Sequence, residues 1–171
     1  GENIAFDTVI ASSDYHHNET LLEEQLRNYT EEYWQSRTFA PSSLIFYLGI
    51  NQTIPNLKHH TLFFENDLDK HIDCIYGEKK WPEKPLFYAC CPSKTDKIVA
   101  PKGKENLFLL MPLAINIQDD EKNREKYIAE MLSRIEKHTG VADLASKIEY
   151  QRSYCVTDFV QDYNAYGGNA Y

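Results

Sequence analysis

The sequence predicts an α+β domain, a layered mixed sheet with helices mainly on one face, and three observations carry that expectation. Two short apolar runs, residues 86–91 (LFYACC) and 107–111 (LFLLM), are joined by a polar connection holding Pro92, Pro101 and Gly103, and Pro112 closes the second run. Proline on the flanks excludes helix, and short runs rich in large side chains suit strands buried on both faces. Further on, Tyr127, Ile128, Met131, Leu132 and Ile135 recur at three- and four-residue steps, the stripe of a helix packed against a sheet. Other strand-like and helical segments alternate along the chain, as a layered domain requires.

In chain order, residues 6–12 (FDTVIAS) read as a short buried strand, and Asp14 stands where it can cap a following helix. Residues 16–34 are helical but broken: Leu21, Leu22 and Leu26 share one face, Tyr29, Tyr33 and Trp34 another, and Glu23, Glu24, Glu31 and Glu32 face water. Pro41 ends that segment. Residues 42–50 (SSLIFYLGI) are aromatic and β-branched, hence strand, with Gly49 marking a bulge, and residues 59–64 (HHTLFF) form another. Residues 67–76 suit a short helix with Leu68, Ile72 and Ile75 inward, stopped by Gly77. The polar, proline-bearing residues 78–85 are loop. Asp119 or Asp120 caps the strongest helix, which runs to His138 and ends at Gly140, with Asp120–Arg124 and Glu130–Arg134 as pairs four apart. Residues 148–155 are the last strand, with Ile148, Tyr150 and Tyr154 on one face, and Thr157 or Asp158 starts a short helix leading to the terminal glycines.

A length of 171 residues suits one domain, residues 1–171. A formal charge of -8 argues against a nucleic-acid partner, which needs a basic stripe. No apolar run reaches the ~18 residues of a spanning helix. Cys74, Cys90, Cys91 and Cys155 lack the close pairing of a zinc site or disulfide scaffold, which points to free thiols in a reducing compartment and so to the cytoplasm. The sequons at Asn18, Asn28 and Asn51 read as chance in that setting. Residues 1–4 run straight toward the first strand without an initiator Met, and the chain stops just after Gly167-Gly168, so a fragment of a longer protein is expected.

Self-contained catalytic signatures are missing: there is no GxSxG, no P-loop and no GxGxxG. His16-His17 and His59-His60 invite a metal reading, but adjacent residues on a strand point to opposite faces and no HxH or HxxxH spacing occurs, so no metal is expected. Asp67, Asp69 and Asp73 lack the central glycine and closing glutamate of a calcium loop. The unusual quantity is aromatic content, with 12 Tyr, 8 Phe and 2 Trp, many on strands: Phe46, Tyr47, Phe63, Phe64, Phe87, Tyr88 and Phe108. If one sheet face lacks a helical cover, these rings can line a site for an apolar ligand; a Tyr- and Phe-heavy core is the plainer alternative.

The strings SRTFAPSSLIFYLGI, NLKHHTLFF, LFYACCPSKTDKIVAPKGKENLFLLMP and VTDFVQDYNAYGGNAY, taken together and in this order, resemble the bacterial-type phytoene desaturases, carotenoid desaturases of the flavin amine-oxidase superfamily. The resemblance spans nearly the whole chain. It implies the substrate domain of an FAD-dependent oxidoreductase whose members are about three times as long and carry their flavin fingerprint elsewhere, so that the fragment alone is inactive. The implied reaction removes hydrogens from a carotene precursor and extends its conjugated polyene, with the hard redox step belonging to the flavin. A carotenoid isomerase, a saturase, or a lipid- or membrane-docking module in isolation are the alternatives. On this resemblance Phe46, Tyr47, Phe63, Phe87, Tyr88 and Phe108 become substrate-binding candidates. Gly167, Gly168 and Asn169 become flavin-contacting candidates, with Asp14 a poorer one. Arg37, His60 and Asp96 are the polar groups for a tunnel mouth or a developing cation, against plain roles as a surface ion pair, a buried hydrogen bond and a turn residue. The expected partners are an isoprenoid lipid substrate and, for the full-length enzyme, a peripheral membrane contact.

Overall fold

The computed structural model describes residues 3–171, and its first regular elements are short. Helix α1 (Tyr15–Thr20) is capped by Asp14, whose carboxylate accepts the His17 N–H at 3.0 Å, and α2 (Glu31–Gln35) is capped by Thr30. Buried Glu19 closes the loop between them by accepting the Asn28 and Tyr29 N–H groups at 2.8 and 3.2 Å, and Trp34 is buried among Tyr15, Tyr29 and Tyr33. The expected face of Leu21, Leu22 and Leu26 does not pack; all three are exposed. Nor do residues 6–12 form a strand: Phe6, Val9 and Ile10 are 73, 79 and 90% exposed, because no sheet edge runs beside them to supply hydrogen bonds and burial.

The sheet holds β1 (Ser42–Ile50), β2 (His60–Phe63), β3 (Phe87–Cys90), β4 (Glu105–Leu113) and β5 (Ile148–Tyr154) in the order β2-β3-β4-β1-β5. Every pairing is antiparallel, where a mixed sheet was expected. Register between β1 and β5 shifts at Gly49/Ile50, the bulge that Gly49 signalled. Helix α3 (Leu68–Tyr76) begins at Asp67, whose carboxylate accepts the Asp69 and Lys70 N–H groups. It packs inward through His71, Cys74 and Ile75, while Leu68 and Ile72 stay exposed. Helix α4 (Glu121–Thr139) is capped by Asp120 and ends at left-handed Gly140. Helix α5 (Val156–Tyr163) follows β5 directly.

One face of the sheet is sealed. Leu44, Phe46, Leu48 and Ile50 of β1, Leu107, Leu109, Met111 and Leu113 of β4, and Phe87 and Ala89 of β3 meet the stripe Tyr127, Ile128, Met131, Leu132 and Ile135 of α4 in one buried cluster. The arginines of α4 do not use the partners four residues away. Arg124 binds Asp119 and Asp158 and donates to the Ser153 hydroxyl, and Arg134 reaches Glu65 and the Pro85 and Phe63 carbonyls. Each guanidinium reaches several acceptors at once on other elements, whereas an intrahelical pair is worth only a few tenths of a kcal/mol.

Candidate functional site: the open face of the sheet

The opposite face is largely apolar yet has no such cover among the described residues. Because strand side chains alternate, the residues between the core positions all point the other way. Cross-strand register lines up Leu62, Tyr88, Leu110, Ile45 and Tyr154 in one row, and His60, Cys90, Phe108, Tyr47 and Arg152 in the next. Burial along β4 alternates strictly between buried and half-buried residues, so this run is not buried on both faces as its composition suggested. Tyr47 is 44% and Leu62 is 62% exposed, and Tyr88, Phe108 and Leu110 are half-buried. Only the corner at Ile45 and Tyr154 is buried, with Phe159 of α5 edge-on to Tyr154 at 4.9 Å. Tyr47 and Phe108 stand side by side, ring centroids 5.4 Å apart, and Tyr88 adjoins Phe108 at 6.3 Å.

The six aromatic candidates therefore divide by strand parity. Tyr47, Tyr88 and Phe108 lie on the open face, whereas Phe46, Phe63 and Phe87 belong to the core beneath α4, with Phe63 and Phe87 stacked at 4.4 Å. Composition marked all of them alike; alternation within each strand was the signal that separates them.

Where β3 ends and β4 begins, the polar connection is pinned on the core side of the sheet. Buried Glu105, at the start of β4, organises this corner: it accepts from the Ile54 N–H (3.2 Å), the Cys91 thiol (2.6 Å) and the Lys94 ammonium (2.5 Å). The Pro92–Lys94 turn is thereby fixed, and Thr95 is held against His59, with Oγ1 and Nδ1 2.6 Å apart. Nδ1 of His60 is hydrogen-bonded to the Tyr88 hydroxyl at 2.5 Å. Burial, then the adjacent Cys90 thiol, push the Tyr88 phenol up to about 12, so it stays protonated at neutral pH. His59 precedes β2 and does not obey strand alternation, so the two imidazoles converge, centroids 4.2 Å apart, contrary to the expectation that neighbours would diverge.

The remaining polar candidates do not assemble. Asp96 caps its own turn by accepting the Ile98 N–H at 2.9 Å. Arg37 sits at the end of α2, 4.7 Å over the Tyr33 ring and bonded to the Ser36 hydroxyl. Among the described residues no hydrogen bond or ion pair joins Arg37, His60 and Asp96.

Asp14 and the terminal string do meet. The Asp14 carboxylate accepts the Tyr166 N–H at 3.1 Å and the Asn169 amide at 3.4 Å, and Asp14 and Asn169 line a groove of about 810 Å³ with Phe39, Phe159, Tyr163 and Tyr171. The positive φ values of Gly167 (59°) and Gly168 (74°) serve the chain's own packing: a Cβ would meet the Asn116 side chain at 2.8 Å and the Val156 carbonyl at 2.5 Å. These glycines are thus committed to the chain's own packing, and Asp14, Asp162, Asn164 and Asn169 are among the polar residues that line the groove.

No family model matches the chain. Among curated proteins it is similar to the carotenoid 3,4-desaturase of Haloarcula japonica, with 41% identity over 99% of this chain and 34% of that protein. It is 28% identical to the 4,4'-diapophytoene desaturase (4,4'-diapolycopene-forming) of Methylomonas sp over 98% of this chain and 34% of the relative. The zeta-carotene-forming phytoene desaturase of Myxococcus xanthus is 30% identical over 92% of this chain and 30% of its own. The chain spans about a third of the length of these relatives.

Proposed function

The chain belongs to the carotenoid desaturases, and from that premise we propose that it is the substrate-side part of an FAD-dependent desaturase that removes hydrogens from a carotene precursor and lengthens its polyene. One observation carries the reading: a sheet face lined by Tyr47, Tyr88, Phe108, Leu110 and Leu62 is apolar without being covered by a helix. A long polyene has no polar handle along its length, so its wall must be broad, flat and apolar, which is the character of this face.

In this reading the rings of Tyr47, Tyr88 and Phe108 bind and align the chain of the substrate and exclude water from it. Tyr88, held through His60, supplies a fixed rather than a swinging ring. The chemistry supplied by bound FAD is acceptance of the hydrogens removed from the substrate. Asp14 and Asn169 are the groups of this chain best disposed to touch it, by their place on the shared groove. No described helix is long and apolar enough to cross a membrane; uptake of the lipid substrate from a bilayer by peripheral contact is part of the proposal.

The test is product analysis of the full-length enzyme in a phytoene-accumulating host. Tyr47→Glu and Phe108→Glu each place a charge on the wall and should abolish or shorten desaturation while the protein still accumulates and binds flavin. Unchanged products in both variants would remove the open face from the site.

A further inference from the structure

We propose that His59, His60 and Cys90 form a binding site for a borderline-soft divalent cation, Zn²⁺ by its donor set, independent of the carotenoid reading. One ring nitrogen from each histidine and the Cys90 sulfur all lie within 4.8 Å of one another. A tetrahedral zinc ion holds such donors about 3.3–3.6 Å apart, from metal–nitrogen and metal–sulfur bonds of ~2.0–2.3 Å, so side-chain rotation of the order of an ångström closes the set. Cys90 is only half-buried, so its side chain can make that adjustment while both rings keep their hydrogen bonds.

The backbone supplies the convergence. His60 and Cys90 are direct cross-strand partners on β2 and β3, on the same face of the sheet, and His59 is brought over them from the turn before β2. Each imidazole carries a hydrogen bond that orients it: Nδ1 of His59 is bonded to the Thr95 hydroxyl and Nδ1 of His60 to the Tyr88 hydroxyl. Hydrogen bonds of this kind to one ring nitrogen accompany metal-ligating histidines, because they fix the ring and leave the other nitrogen for the ion. Cys90 also differs from its neighbours in the chain. Cys74, Cys91 and Cys155 are buried, and the Cys91 thiol is spent on Glu105. Three protein donors leave one position for water or another ligand, and binding releases the Cys90 thiol proton to solvent as the metal–thiolate bond forms.

Co²⁺ is the probe, since a thiolate ligand gives sulfur-to-cobalt charge-transfer absorption and a tetrahedral site gives intense visible bands. Titration of the protein with Co²⁺ should saturate at one equivalent with both signatures, and Zn²⁺ should bleach them. Cys90→Ser should remove the charge-transfer band, His59→Ala and His60→Ala should each weaken Zn²⁺ binding at least tenfold, and Cys74→Ser should change nothing. Zn²⁺ should also slow maleimide labelling of Cys90 in the unaltered protein, a measurement that needs no variant to fold. Absence of the charge-transfer band, its persistence in Cys90→Ser, or unprotected Cys90 with excess Zn²⁺ would overturn the proposal.

Discussion

Nδ1 of His71 accepts the backbone N–H of Leu86 across 2.9 Å, while Nε2 of the same ring donates to the Pro112 carbonyl at 3.0 Å. Only the neutral imidazole can do both, so α3 is joined to the entry of β3 and the exit of β4 through a ring that cannot accept a second proton without losing one bond. Burial lowers its pKa from the ordinary value, and the Pro112 contact offsets part of that. The folded state therefore binds fewer protons than the unfolded one, and stability falls as pH drops from about 6.5 through the depressed folded value. Denaturant unfolding between pH 8 and pH 5 should show that loss, and His71→Gln, whose amide also donates and accepts, should flatten it.

Core and open-face aromatics should respond in opposite ways. Phe87→Ala, at a fully buried ring under the Arg134 guanidinium, should cost about 3–5 kcal/mol. Tyr47→Ser, at a 44% exposed ring two strands over, should shift stability by no more than about 0.5–1 kcal/mol while impairing desaturation in the full-length enzyme. Thermal unfolding and product analysis on the same pair of variants separate folding from substrate contact.

Removing the carboxylate at residue 105 leaves the Lys94 ammonium, the Cys91 thiol and the Ile54 N–H without their shared acceptor. Glu105→Ala should destabilise by about 3–5 kcal/mol, as expected when one member of a buried pair is deleted, and Glu105→Gln by less, since one acceptor oxygen survives. Hydrogen exchange should show the loss concentrated at residues 92–96.

Two left-handed glycines offer an internal control. Gly140→Ala, at φ 75° with nothing near the new Cβ, should cost only about 1 kcal/mol. Gly168→Ala, at φ 74° with the Val156 carbonyl 2.5 Å from the new atom, should cost about 3 kcal/mol or more, because backbone must move as well. Paired urea titrations measure the difference directly.

Legibility in the sequence followed how local each determinant is. Helix α4 declares both ends through Asp120 and Gly140 and its buried face through period, and β1 shows its length and its bulge. Residues 6–12 have equal strand character but no partner edge, which no local pattern reveals. The sidedness of the sheet was half visible: alternation exists in β4, but both of its faces are apolar, so hydropathy reads it as a continuous run. The convergence of His59, His60 and Cys90 was hidden because it depends on where β2 begins and on a cross-strand register some thirty residues long. Arg124 and Arg134 show the same limit, since their chosen acceptors lie on other elements.

The Asp14 carboxylate bridges 152 positions of chain to reach the Tyr166 amide. A contact of that span forms only after the intervening sheet has shortened the loop, so this latch closes late in folding and opens early in unfolding. Its rupture would release the aromatic knot around Trp34 and the terminal glycine turn together, making the two extremities a single cooperative unit that frays before the sheet does.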